Sequence, residues 1–148
     1  MIANPIARAE SVTKGSSISA AVVVLGRLLF AAIFIASASM HFSKDMIEMA
    51  AAHGVPLASI AVPASGLLAL AGGLSILLGY HAKLGAWAIV LFLVPVTLTM
   101  HPFWAAPGKE AMALQLTMFM KNLSLIGGAL LITQFGAGPM SLDERRAA

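Results

Sequence analysis

The sequence predicts an all-α integral membrane protein: a four-helix antiparallel bundle with a short interfacial helix between the first and second spans. Three observations carry this. The 148 residues are 59% hydrophobic and only 10% charged, where soluble domains carry about 25% charged residues. The mean hydropathy is +0.92. The apolar residues also fall into four runs, each near the roughly 20 residues that cross a hydrocarbon core.

The elements follow in order. Residues 1–17 are mixed and polar, with Arg8, Glu10, Lys14 and Gly15-Ser16-Ser17, and read as a disordered or surface-lying cytoplasmic tail. The transmembrane domain runs over 18–135, with spans at about 18–40, 57–78, 84–104 and 111–135. Between the first two spans, Ser43 can cap a short helix that has Asp45 in its first turn and ends at Gly54-Val55-Pro56. Its apolar side is Met46, Ile47, Met49 and Ala50, which suits an interfacial helix. Tyr80 and Trp87 flank one end of the middle spans, and Phe42 and Trp104 the other, as an aromatic belt requires. Ser65, Ala69 and Gly73 recur every four residues, as do Ser124 and Gly128, and small residues at that spacing let helices pack closely. Residues 136–148 form a C-terminal cytoplasmic tail.

Composition excludes several chemistries. There is no cysteine, so disulfides, thiol redox chemistry and thiolate-held metals are absent from this chain. The formal charge is +3, but the basic residues are scattered, so nucleic acid is not the partner. The lipid bilayer is. Arg8, Lys14, Lys83, Arg145 and Arg146 fall on one side of the spans and Lys44 and Lys109 on the other. The positive-inside rule then places both termini in the cytoplasm.

The best functional lead is a pair of cations inside apolar runs, Arg27 and Lys121, with no acidic residue in any run to neutralise them. A cation at bilayer depth costs about 2.5–3.5 kcal/mol on insertion scales. Counted from the ends of their runs, each lies about 14–15 Å deep at 1.5 Å per residue. Each could snorkel to an interface, bond a backbone carbonyl such as that of Leu91, freed by Pro95, or line a polar pocket for an anion or a carbonyl-bearing ligand. Asn122 points about 100° around the helix from Lys121, so one of the two is expected in the pocket and the other against a neighbouring helix. Asp45 or Glu48 could fold back into the mouth of that pocket. His41 and His101 sit at the outer ends of spans, where an imidazole could handle protons. With His53 they share no i, i+3 or i, i+4 spacing, so no metal site is expected. Gln115 and Thr117 add polar groups toward the same outer half.

Gly26-Arg27-Leu28-Leu29, Ser39-Met40-His41-Phe42-Ser43-Lys44, His53-Gly54-Val55-Pro56-Leu57, His101-Pro102-Phe103-Trp104 and Phe119-Met120-Lys121-Asn122-Leu123 with Gly127-Gly128 follow one another in an order that resembles the DoxX family. The ending Gly136-Ala137-Gly138-Pro139-Met140-Ser141-Leu142-Asp143 fits as well, so the resemblance covers roughly 20–143. It implies a small four-helix protein of the bacterial inner membrane, related to the membrane subunit of a thiosulfate:quinone oxidoreductase and to redox or oxidative-stress complexes.

The function expected on these grounds is a quinone-linked redox membrane subunit. Arg27, Lys121 and Asn122 would hold the quinone headgroup, and His41 or His101 would handle protons. The chain carries no cofactor motif and no recognisable catalytic set, so electrons would come from a redox partner protein. The alternatives are a noncatalytic anchor or assembly factor, and a small anion transporter. Four helices would suit the last only as a homo-oligomer.

Overall fold

The computed structural model describes residues 5–147, with side chains over 17–146. Six α-helices account for most of the chain: α1 Pro5–Ser37, α2 Lys44–Ala52, α3 Ala58–Leu78, α4 Ala82–Met100, α5 Lys109–Phe135 and α6 Leu142–Ala147. Short 3₁₀ turns at Ala38–Phe42 and Phe103–Ala105 follow α1 and α4. No strand forms among the described residues. Four stretches, Ser17–Phe42, Ala58–Leu78, Ala82–Ala105 and Lys109–Phe135, are long and apolar enough to cross a membrane. The all-α, four-span architecture with a short helix between the first two spans is therefore the one observed.

The polar segment before residue 18 differs from expectation. Its first four residues lie outside the described ones. From Pro5 it continues α1, which at 33 residues is about 50 Å long at 1.5 Å per residue. At the other end, α5 starts at Lys109, directly after Gly108 at φ 84°. Pro102 and Pro107 flank the preceding turn and separate α4 from α5, since proline cannot supply the backbone N–H that a continuing helix needs. The short α2 is capped as anticipated: the Ser43 hydroxyl accepts from the Met46 amide at 3.3 Å.

The bundle is built in sequence order, α1 on α3, α3 on α4 and α4 on α5. Small residues decide the closest approaches. A Cβ on Gly72 would lie 2.9 Å from the Gly85 carbonyl oxygen, so α3 and α4 cross backbone to backbone there. Gly73 faces Phe34 of α1, and Ala69 is wholly buried. Of the second small-residue pair, Gly128 receives the Phe30 ring, while Ser124 turns outward and bonds its own helix at Met120. The core between the helices is Phe34, Ala69, Ile76, Ala86, Ile89, Phe92, Leu93 and Ala129.

The C-terminal segment folds back under the α3–α4 turn. The Asp143 carboxylate accepts from the His81 and Ala82 amides at 2.7 and 2.9 Å, and its own amide donates to the Gly79 carbonyl. Arg146 donates to Nε2 of His81 and lies over the Tyr80 ring, 5.1 Å from its centroid. These contacts tie the tail to the end of the bundle opposite α2.

Candidate functional site

The side of the bundle between α1 and α5 is left open. Neither helix packs closely on the other's backbone, and they meet where Phe30 lies against Gly128. Toward the α2 end, α1, α2, α4 and α5 line a cavity of about 350 Å³. That volume falls within the roughly 300–1,000 Å³ of small-molecule sites. Its polar lining is His41, His53, His101, Gln115, Lys121 and Asn122, and its apolar walls include Ile33, Phe34, Phe92 and Leu125.

Each polar group is set by its local backbone. His41 lies in the 3₁₀ turn after α1, where Nδ1 donates to the Ser37 carbonyl at 3.1 Å. It is pressed against α3 at Gly66, where an added Cβ would come within 2.5 Å of the His41 Cβ. Its ring stands edge-on to Phe92, 5.6 Å between centroids. His53 ends α2 with Nδ1 bonded to the Met49 carbonyl at 2.8 Å. His101 ends α4, and its Nδ1 donates to Oε1 of Gln115 at 2.9 Å. Because each Nδ1 has an oxygen acceptor, Nε2 carries the lone pair in all three rings, with no partner among the described residues. Even so, no three His, Asp or Glu side chains form a metal-holding group among the described residues.

Lys121 and Asn122 supply the cavity's unsatisfied donors. Lys121 is exposed on the open α1–α5 side. Asn122 is only 4% exposed. Neither side chain makes a hydrogen bond or ion pair among the described residues. The residue is buried, but its amide atoms open onto the cavity, so Asn122 can bond a group that enters. The expectation that one of these two residues would bond a neighbouring helix is corrected, since both line the cavity. Asp45 and Glu48 do not reach it: α2 turns Met46, Met49 and His53 toward the cavity and leaves both carboxylates exposed.

Arg27 lies elsewhere. The residue is 7% exposed and sits beside Gly79 and Ser141, with Nη2 donating to the Met140 carbonyl at 3.1 Å. Nε and Nη1 are buried and have no partner among the described residues. The carbonyl it finds belongs to the C-terminal segment and not to Leu91. Counting along α1 gives Arg27 a mid-membrane depth, but the chain returns after α5 to meet it at the level of the α3–α4 turn. Four of the five expected site residues, His41, His101, Lys121 and Asn122, therefore share one cavity, and Arg27 belongs to the tail contact. His53 and Gln115 join the site. Their position in the outer half is legible in the sequence, but nothing in their spacing marks them as partners.

With this geometry established, kinship can be weighed. A family model described as the SURF4 family matches residues 22–148. The chain belongs to the SURF4 family. Among the relatives of this SURF4-family chain is the ER-derived vesicles protein ERV29 of Saccharomyces cerevisiae, 32% identical over 80 residues, which are 54% of this chain and 26% of the relative. The Surfeit locus protein 4 homolog of Drosophila melanogaster is 35% identical over 72 residues, 48% of this chain and 27% of the relative. The inner membrane protein YphA of Escherichia coli is 25% identical over 99 residues, 67% of this chain and 70% of the relative. The chain thus spans about a quarter of the yeast and fly proteins it matches. No solved structure matches it.

The SURF4 match overturns the DoxX assignment, and with it the quinone-linked redox function and the redox partner that rested on that resemblance. The multi-pass membrane character stands. A bacterial inner membrane as the location is not supported, because the yeast and fly relatives are eukaryotic.

Proposed function

We propose that this SURF4-family chain is a membrane-embedded receptor, which captures a ligand bearing a carboxylate or carbonyl group in the cavity between α1 and α5. The observation that carries the reading is the pairing of Lys121, a cation with no carboxylate beside it, with Asn122, whose amide opens onto the cavity and has no partner among the described residues. Together they offer one charged and one neutral donor at the same wall, where a charge-assisted hydrogen bond is worth about 1.5–3 kcal/mol. The Gln115–His101 pair lies about two turns nearer the α4–α5 connection, with Gln115 on the same helix. ERV29 is named for ER-derived vesicles. Carried to this chain, that setting favours capture and carriage over turnover.

The positive-inside count supports an orientation with both termini in the cytoplasm. Lys83, Arg145 and Arg146 lie at the end with the C-terminal segment, and Lys44 and Lys109 at the end with the cavity. The receptor then faces away from the cytoplasm and is tied on the cytoplasmic side by its tail.

Calorimetric titration of hexanoate into the nanodisc-embedded protein tests the reading. Lys121→Gln is expected to weaken binding about 10- to 100-fold, the equivalent of one charged hydrogen bond. Equal affinity in the wild type and in Lys121→Gln would refute it.

A further inference from the structure

A second cavity adjoins the first. About 540 Å³ of apolar groove runs between α2, α3 and α4, and its wall includes Ala64, Leu68, Leu91 and Pro95. His41, Met46, Phe92, Val96 and Met100 line both cavities, so the groove and the polar cavity are the two sides of one thin partition. That partition consists of the edge-on His41–Phe92 pair, Val96 and two methionines. Methionine is unbranched and has three rotatable bonds, so it yields to a chain passing between the compartments more readily than a branched side chain does.

Apart from His41 in the shared wall, the side chains of the groove make little polar demand. The Ser65 hydroxyl is spent on the Val62 carbonyl at 2.7 Å and the Thr99 hydroxyl on the Pro95 carbonyl at 2.8 Å. What remains is largely hydrocarbon surface, separated only by that partition from a compartment that holds a single uncompensated ammonium and the unpartnered Asn122 amide. One cation matches one negative charge, and one narrow groove matches one chain. From this shared, yielding wall and charge complementarity we infer that the ligand is a single-chain aliphatic carboxylate, its head at Lys121 and Asn122 and its tail in the α2–α3–α4 groove.

The inference rests on the receptor reading and deepens it, and one experiment separates the two. Oleate and hexanoate are titrated, each against wild type, Ala64→Phe and Lys121→Gln in nanodiscs, with oleate affinity expressed per lipid. Ala64 is exposed on the groove wall, so a phenyl ring there obstructs the groove without entering the core. Ala64→Phe is expected to weaken oleate at least tenfold and leave hexanoate unchanged, while Lys121→Gln weakens both. Oleyl alcohol is expected to bind at least tenfold more weakly than oleate. Unchanged oleate affinity in Ala64→Phe, with Lys121→Gln still impaired, would overturn the tail assignment and leave the receptor reading standing. Loss of neither ligand in Lys121→Gln would overturn both. Displacement of oleate by a lower concentration of lysophosphatidate would overturn the carboxylate class in favour of a lipid phosphate.

Discussion

His101 and Gln115 are joined by a 2.9 Å hydrogen bond across the turn between α4 and α5. The bond fixes the proton on Nδ1 of His101 and occupies the Gln115 side-chain carbonyl. It also holds the two helix ends at a set separation, and so defines the rim through which a ligand would pass.

Gln115→Leu keeps the bulk of the side chain and removes the acceptor. The loss of one neutral hydrogen bond, about 1 kcal/mol, is expected to weaken hexanoate binding roughly fivefold and lower the thermal midpoint slightly. Titration of the variant beside wild type reads both effects. Gln115→Glu, which restores an acceptor but adds a like charge to the ligand, is expected to bind more weakly still.

Gly66→Ala places a methyl within 2.5 Å of the His41 Cβ. Overpacking of this kind costs about 1–3 kcal/mol. The clash falls on the partition between the two cavities, so the variant is expected to lose thermal stability in detergent. Gly127→Ala in α5, where an added Cβ meets nothing within 4 Å, is the control for helix propensity. It is expected to keep or raise the midpoint, because alanine is the better helix former.

Arg27→Leu tests the separation of the two intramembrane cations. It removes the bond to the Met140 carbonyl and, with it, a buried guanidinium that lacks two of its partners. Hydrogen exchange is expected to speed up over 139–146, with ligand affinity unchanged. Loss of affinity without faster exchange would place Arg27 back in the site.

Asp143 gives the tail contact a pH dependence. Burial pushes its carboxyl up, but the Ala82 and His81 amides, with the charges of His81 and Arg146, outweigh that and hold its pKa below the usual value. A carboxylate whose pKa falls on folding adds stability that is present above its unfolded value of about 3.9 and is lost as pH drops through the lower folded value. The tail is therefore expected to detach below about pH 4. Asp143→Asn should abolish that acid step and loosen the tail at neutral pH, as read by limited proteolysis of the C-terminal segment.

Much of the fold was legible because the bilayer imposes it: four apolar runs of sufficient length have few alternatives to four helices. The Ser43 cap was legible for a similarly local reason. The place of Arg27 was not, because it depends on where a polar tail returns after the fourth span. Nor could the open α1–α5 side be read, since helix order in space does not follow from hydropathy. Lys121 was marked by its cost and Asn122 by its place beside it, and both line the cavity. The family was misread for a physical reason as well. Motifs such as His53-Gly54-Val55-Pro56 and His101-Pro102 record how apolar helices end, through glycine and proline, and such endings are common to small membrane bundles whatever their function.

The most direct test of the central claim is native mass spectrometry of the protein released from its own membrane, in wild type, Lys121→Gln and Arg27→Gln. The account predicts an anionic small molecule retained by wild type and Arg27→Gln and lost from Lys121→Gln. A ligand that survives Lys121→Gln, or a wild-type protein that carries none and binds no added carboxylate, would contradict it.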